Sequence, residues 1–453
     1  MVLICIAAFL AFSFGCRQST DPNRLELPLH EPKRADRPDN DAVEAFRMRT
    51  ANDLEASSQT LDWPMLFGPN RTSHVHQNVS PLWPSSGPEL IWEIPVGTGY
   101  GSPVTAGGRV VFSHRLDNDE WIQCHSVVNG ELLWRHRTPT DATCDFEYSN
   151  GPYSTPLIDV KSERVFHLGG QGRLVALNLA NGELIWERKL HEDYRVAPEL
   201  FPVGATPVLD QDQLILSLGA AEDEAGIIAI RATDGSTNWQ CTDHLAGYTT
   251  PFVSTIHQQR FAFVMTARGL VCLNPDTGKV DWEIEHFSRA PMSYNSVSPM
   301  VSKDHVLMVT GPGPGAICVR VRPDRTHETV WKNRRLIDCQ YNTLMLADGY
   351  VHGFTSAGQG GAELRCVDLK TGKLKWRYHS VLRRGQGLIA GDAIIILGEN
   401  GHLAALGANP TKPTVLSFTE NPLMKGPCYG SPAITQDVII LKDESRVAAY
   451  EIK

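Results

Sequence analysis

Residues 177–186 read LNLANGELIW, and the frame of this stretch recurs along the chain. A small residue is followed by Gly six positions later and by Trp four after that. Cys124, Gly130 and Trp134 fit, as do Ala176, Gly182 and Trp186, and Ala229, Gly235 and Trp239. Cys272, Gly278 and Trp282 follow, then Cys366, Gly372 and Trp376. A further copy, Cys318 to Trp331, carries three extra residues around a lost turn Gly. A repeat of roughly 40–50 residues means a repeat architecture and overrides any domain count taken from length. The Asn-Gly of the quoted stretch predicts a type I′ hairpin turn, with φ > 0 at both central residues and the second strand ending at Trp186.

Each unit opens on a Ser/Thr-Pro or its relic, followed by an apolar strand. These openings are GSPVTAGG (101–108), STPLIDV (154–160), ATPVLDQ (205–211), TTPFVST (249–255), VSPMVSK (297–303), NTLMLAD (342–348), QGLIAGD (386–392) and GSPAITQ (430–436). A second strand follows, then a third with the Cys/Ala slot, then a fourth near the Trp. Four strands per unit, repeated radially, is the β-propeller layout. The eighth unit stops at RVAAYEIK, whereas ELIWEIPV (89–96) is a fourth-type strand without partners. Pairing 89–96 beside 446–453 completes that unit and removes a bare edge. The expected fold is therefore all-β: a single eight-bladed β-propeller of four-stranded antiparallel blades, closed by its N- and C-terminal strands. A stacked open solenoid leaves the split unit unexplained. The repeated Trp rings are expected to pack each blade on the next.

MVLICIAAFLAFSFG ahead of Cys16 is too short for a membrane span of ~20 residues and fits a secretory apolar region. Residues 1–16 are read as a signal peptide or a lipoprotein-type signal with Cys16 as the lipidated residue. Residues 17–60 are rich in Arg, Asp, Glu, Pro and Asn and are read as a disordered tether. The propeller takes 61–453. These readings imply an exported protein of the periplasm or cell envelope, touching membrane only through an N-terminal anchor. A net charge of −9 without a Lys/Arg cluster argues against nucleic acid. The ten cysteines include no CxxC and no adjacent pair. Cys124, Cys272, Cys318 and Cys366 share the slot that Ala176 and Ala229 fill, which predicts free, buried thiols acting as small hydrophobes.

The pattern [Asp/Asn]-x-x-[Thr/Asn]-Gly-x-x-x-Trp in NLANGELIW, NPDTGKVDW and DLKTGKLKW resembles the tryptophan-docking motif of pyrroloquinoline-quinone (PQQ) propeller repeats. The lead-in DWPMLFGPNR is similar to the Trp-Pro-x-x-x-Gly-Pro-x-Arg opening of bacterial PQQ-like propellers. The resemblance covers about residues 61–453 and implies the propeller fold; function does not follow from fold. Two branches are implied. Quinoprotein alcohol dehydrogenases hold PQQ with Ca²⁺ over the axis and use an Asp base and, typically, a disulfide between adjacent cysteines. Neither that base nor a Ca²⁺ ligand set maps onto this sequence. The other branch resembles the propeller lipoprotein of the outer-membrane barrel-assembly machinery, which binds protein partners and no cofactor. The leading expectation is a non-catalytic binding or scaffold propeller without cofactor. The alternative is a PQQ- and calcium-dependent oxidoreductase of an alcohol or sugar.

A protein or small-molecule ligand is expected at the axial mouth, where the loops into the innermost strands gather. Tyr100, Tyr153, Tyr248 and Tyr429 stand three residues before the opening Pro, and Tyr341 holds the same place where Pro is lost. Tyr294 and Asn295 lie nearby. Each Tyr either packs under its own loop or joins a ring of aromatic faces for a sugar, quinone or peptide. Loops that depart from the repeat offer Arg195, Arg383 and Arg384 to an anion and Asp145 and Glu147 to a cation; solvated surface charge is the commoner fate. GPGPG (311–315) lacks the strand-to-helix setting of a phosphate loop, and His74 with His76 lack further metal ligands. No Gly-x-Ser-x-Gly elbow occurs.

Overall fold

Eight four-stranded antiparallel sheets follow one another along the chain in this computed structural model. It describes residues 38–41, 43, 62–76, 79–144, 146–196, 201–291, 293–342, 344–355 and 361–452. The signal, Cys16, most of the tether and Asp145 lie outside these residues. Blade 1 runs Val104–Ala106, Arg109–Leu116, Asp119–Ser126 and Leu132–Pro139 from the axis outward. Blades 2 to 7 repeat this order and have innermost strands Leu157–Asp159, Val208–Asp210, Phe252–Ile256, Met300–Ser302, Met345–Ala347 and Gly385–Ala390. Blade 8 combines Ala433–Thr435, Val438–Lys442 and Arg446–Glu451 with Glu89–Pro95 as its outermost strand. The register Leu90↔Tyr450, Trp92↔Ala449 and Ile94↔Val447 closes the ring as the split unit requires.

The repeat frame has a physical reason in the joint between blades. Trp134 Nε1 donates to the Leu179 carbonyl at 2.8 Å, in the turn between the third and fourth strands of the next blade. Trp92 does the same to Val127 (2.7 Å), Trp186 to Ala232 (2.9 Å) and Trp239 to Pro275 (2.8 Å). Trp331 donates to Leu369 and Trp376 to Asn409, both at 2.8 Å. The turn glycine is the seat of the incoming ring. A Cβ on Gly182 would lie 2.5 Å from the Trp134 ring, and one on Gly278 would lie 2.6 Å from Trp239. Each Gly therefore serves the Trp of the preceding blade, not the Trp four residues after it.

Two sequence expectations are corrected here. The turn is not type I′, because Gly182 has φ +74 while Asn181 is not among the residues with positive φ. Asn178 shapes it instead, accepting Ala180 N–H on its side chain at 2.8 Å and Gly182 N–H on its carbonyl at 2.8 Å. Asp368 does the same for Thr371 and Gly372, both at 2.9 Å. The outer strand also does not end at the Trp; Leu184–Lys189 continues beyond Trp186, because those residues go on pairing with Arg173–Asn178.

The joints that break the pattern are explained by the same contact. Blade 8 has no turn between its third and fourth strands, because those come from opposite ends of the chain. Blade 7 accordingly carries no Trp; Ser417 stands opposite Ala405, and its hydroxyl accepts the backbone N–H of Trp83 at 3.0 Å. The turn of blade 5 lacks its Gly, and Trp282 Nε1 is buried without an acceptor among the described residues. There Arg325 takes positive φ (66°), lies 4.2 Å over Phe261 and grips Asp281 with two nitrogens, at 2.9 and 2.5 Å. An ionic clamp thus replaces the indole bond.

The Cys/Ala slot faces the Trp across the strand pair. Cys124 pairs with Trp134, Cys272 with Trp282, Cys318 with Trp331 and Cys366 with Trp376, as Ala176 does with Trp186. All four cysteines are free and fully buried. Burial pushes the thiols of Cys124, Cys318 and Cys366 up to about 12 and that of Cys272 higher still. They are expected to react with a thiol reagent only after unfolding, with no reductant; mass mapping that finds any of them in a disulfide contradicts this packing. Gly182→Ala and Gly108→Ala share φ +74, but a Cβ on Gly108 meets nothing within 4 Å. Both should lose about 1–2 kcal/mol to the left-handed backbone. Gly182→Ala should lose roughly 1–3 kcal/mol more through overpacking against Trp134. Equal urea midpoints for the two variants would remove the Trp seat from the account.

Candidate functional site in the axial cavity

The Ser/Thr-Pro openings build the wall of the axis. Innermost strands of neighbouring blades lie against each other from blade 8 through blades 1, 2, 3, 4 and 5. Hydroxyls close four of these five seams. Ser431 N–H donates to Ser102 Oγ at 2.8 Å, Ser102 N–H to Thr155 Oγ1 at 3.0 Å, and Thr155 N–H to Thr206 Oγ1 at 3.1 Å. Thr250 N–H donates to Ser298 Oγ at 2.9 Å. Each hydroxyl accepts a backbone N–H that would otherwise be lost at a strand end, and it keeps its own proton to donate. The proline that follows has no N–H to satisfy.

The lead-in floors this wall. Trp63 is buried and exchanges backbone bonds with Thr105 of blade 1, both at 2.9 Å. The Pro64 carbonyl accepts from Ile158 of blade 2, at 2.8 Å. Arg71 donates to the carbonyls of Leu209 of blade 3 (2.7 Å) and Val253 of blade 4 (3.0 Å). Thr72 and Ser73 carbonyls accept from Leu346 of blade 6 and Ile389 of blade 7, at 3.1 and 2.6 Å. His74–Val75 then joins the innermost strand of blade 7 in parallel. Residues 63–75 thus tie blades 1, 2, 3, 4, 6 and 7 together across the axis.

Above this floor lies a cavity of about 220 Å³. Tyr100, Tyr153, Tyr248, Tyr294, Tyr341 and Tyr429 all line it, with Tyr148, Phe201 and Phe67. One arc runs Tyr341–Tyr429–Tyr100–Tyr153, with ring centroids 5.0, 4.9 and 4.7 Å apart. Another places Tyr248, Tyr294 and Tyr148 edge-on around Phe201 at 5.5–6.4 Å. Several hydroxyls are tied to the loops. Tyr100 Oη accepts Ser149 N–H, and Tyr153 donates to the Ser149 carbonyl, both at 2.9 Å. Tyr429 donates to Glu399 at 3.2 Å. Burial raises the phenols of Tyr100, Tyr153, Tyr341 and Tyr429 above their ordinary value, so they stay neutral.

Other anticipated residues lie elsewhere. Asn295 is buried beneath the loops and donates to the Thr266 and His286 carbonyls, at 2.8 and 2.9 Å. Arg384 is drawn to Glu399 (2.8 and 3.0 Å) and lies 4.5 Å over the Tyr341 ring, outside the cavity wall. Arg383 is exposed and does not line the cavity. Arg195 pairs with Asp223 on the surface, and Glu147 is exposed. His74 and His76 have ring centroids 4.6 Å apart, and no group of three or more metal-ligating side chains occurs among the described residues. Among the described lining residues the cation is Arg71. Its sequence signal was the closing Arg of the Trp-Pro-x-x-x-Gly-Pro-x-Arg opening.

Lys442, fully buried beside blade 1, anchors the Tyr100 loop by donating to the Gly99 carbonyl at 2.5 Å. Burial pushes its ammonium down to about 8, against the pull of Glu444, Asp443 and Cys428. The same pocket, with Lys442 adding repulsion, holds His114 down at about 4.

A family profile described as outer membrane protein assembly factor BamB matches residues 82–217 and 118–378. No curated protein sequence matches the chain. Among solved structures, BamB from Moraxella catarrhalis aligns at 14% identity over 80% of this chain and 97% of its own, with a TM-score of 0.58. Quinohemoprotein alcohol dehydrogenase from Comamonas testosteroni aligns at 12% identity over 91% and 84%, with a TM-score of 0.60. A europium-containing methanol dehydrogenase aligns at 10% identity over 86% and 91%, with a TM-score of 0.58. At such identities these likenesses show the fold alone.

The dehydrogenase branch would place a quinone and calcium in this cavity. Ca²⁺ takes six to eight oxygens, carboxylates prominent among them. The described lining offers hydroxyls, amides and a guanidinium, with no Asp or Glu. The described lining by itself does not supply the carboxylates such a Ca²⁺ site draws on. One further expectation concerns pH. Between about 8 and the ordinary 10.5, the unfolded chain keeps the Lys442 proton that the folded chain has lost, so Lys442 contributes stability that rises with pH, against the fall contributed by the buried thiols, which ionise first in the unfolded chain. Lys442→Met should lose this contribution, so its urea midpoint should fall more steeply with pH across the window than that of the wild type; parallel pH profiles for the two would contradict the assignment.

Proposed function

This chain belongs to the family described as outer membrane protein assembly factor BamB, and from that premise we propose that it is an exported binding propeller of the cell envelope without redox catalysis. One observation carries the reading. The described wall of the cavity holds no Asp, Glu, His, Lys or Cys, so nothing there takes up a proton near neutral pH. Oxidation of an alcohol needs such a base. What the wall does offer is a collar of rigid aromatic faces over hydroxyl donors, a surface suited to holding a ligand.

A protein-facing role has separate support. The outermost strands of neighbouring blades 8, 1 and 2 expose the apolar pairs Leu90–Ile91, Leu132–Leu133 and Leu184–Ile185, each 40–47% accessible. At these positions blade 3 has Thr237 and Asn238, and blade 6 has Leu374 and Lys375. Exposed apolar clusters on one side mark contact surfaces.

The test against the oxidoreductase alternative is direct. Purified protein is incubated with PQQ and Ca²⁺, then assayed for a bound quinone spectrum and for dye reduction with alcohols and sugars. No stoichiometric quinone and no turnover are expected. Stoichiometric quinone with turnover overturns the reading.

A further inference from the structure

Arg71 sits in the cavity floor, and among the described residues no carboxylate pairs with it directly. An arginine has five N–H donors. Two of its nitrogens serve the Leu209 and Val253 carbonyls, while Nε is buried without an acceptor. The carboxylate closest to it electrostatically, Asp210, is gripped by Arg260. A guanidinium taken out of water without a carboxylate is costly unless something else completes it. The backbone is bent to put it there. Phe67, Arg71 and Ser73 have φ of +69, +58 and +54, and left-handed geometry at non-glycine residues costs on the order of 1 kcal/mol or more each.

The remaining wall defines what would complete the charge. Ser102, Thr155, Thr206 and Ser298 each accept one N–H and retain a hydroxyl proton to donate. Donors of this kind, around a cation, suit an anionic oxygen. Farther out, the tyrosines offer ring faces and edges, which suit a flat or ring-shaped body. Size sets the rest. An apolar cavity of roughly 150 Å³ accommodates benzene, so about 220 Å³ leaves room for one ring and one carboxyl group.

We propose that the axial cavity binds a ring-bearing monocarboxylate, with the carboxylate on Arg71 and the ring within the tyrosine collar. The inference rests on the reading of this cavity as a non-catalytic binding site and names its ligand class. No metal is required, because Arg71 supplies the countercharge.

The experiment titrates four probes into the full chain by calorimetry: benzoate and its neutral counterpart benzyl alcohol, and glucuronate and its neutral counterpart glucose. At least one acid is expected to bind tenfold or more tighter than its counterpart, and the pair that discriminates shows whether the ring is aromatic or a sugar. Arg71→Gln should abolish the discrimination and Arg71→Lys should keep part of it. Arg71 also ties two blades, so thermal melts accompany both variants; the acid-versus-neutral comparison on wild-type protein stands without them. Equal affinity within both pairs, binding by none of the four, or full discrimination in a folded Arg71→Gln overturns the inference. Acid binding together with quinone turnover would defeat the non-catalytic reading alone. Loss of acid discrimination without turnover would defeat this inference alone.

Discussion

The indole N–H that reaches the next blade is the contact on which the ring depends. A sheet buries only its two faces, and a blade alone would leave both wet. Docking Trp134 on Leu179 and Gly182 fixes the distance and the angle between two blades at once, because the bond is directional and the seat admits no Cβ. The same joint recurs at Trp92, Trp186, Trp239, Trp331 and Trp376. Where the turn is missing, at blade 8, the donor is missing from blade 7. Where the turn is altered, at blade 5, Arg325 and Asp281 take over the joint. Donor and seat lie in different repeats: at the joint of blades 7 and 8 both are lost, whereas at blade 5 the seat is lost and Trp282 remains.

A ring fixed at its rim leaves its centre to be furnished by the innermost strands. Those strands are short and would leave N–H groups unpaired toward the axis. The Ser and Thr hydroxyls satisfy them across the seams 8–1, 1–2, 2–3 and 4–5, which makes the same residues structural and ligand-facing at once. The lead-in through Trp63 and Arg71 then turns a channel into a floored cavity. The site thus depends on the residues that close the propeller, and its chemistry follows from what can be buried there: neutral phenols, neutral hydroxyls and one guanidinium.

Much of this was legible in the chain. The fixed Gly-to-Trp spacing revealed the blades, and the orphan strand with Trp92 revealed the closure, because both are local patterns that only a radial repeat satisfies. The Cys/Ala exchange revealed a tight slot, since two residue types sharing one position must share its volume. Five of the six tyrosines were found by their fixed place before the opening Pro or where it is lost, and Tyr294 as a neighbour of such an opening. Other features were hidden for physical reasons. Which Trp a turn Gly serves is a contact between blades, invisible to spacing within one. The turn type was misread because Asn178, four residues before Gly182, shapes the loop through its side chain. Arg384 and Asn295 stand in the right loops, but neighbouring Glu399, Thr266 and His286 turn them away. Arg71 was overlooked because it lies before the first blade, and only the folded ring brings it to the axis.

Hydrogen exchange of the assigned indole N–H groups tests the central claim, that docked tryptophans hold the ring. The six docked indoles of Trp92, Trp134, Trp186, Trp239, Trp331 and Trp376 are expected to exchange only as fast as the protein unfolds globally, each with the downfield proton shift of a hydrogen-bonded indole. Trp282, buried without an acceptor, is expected to lack that shift. If Trp282 is indistinguishable from the six, or if any of the six exchanges far faster than global unfolding allows, the ring is held by something other than this contact.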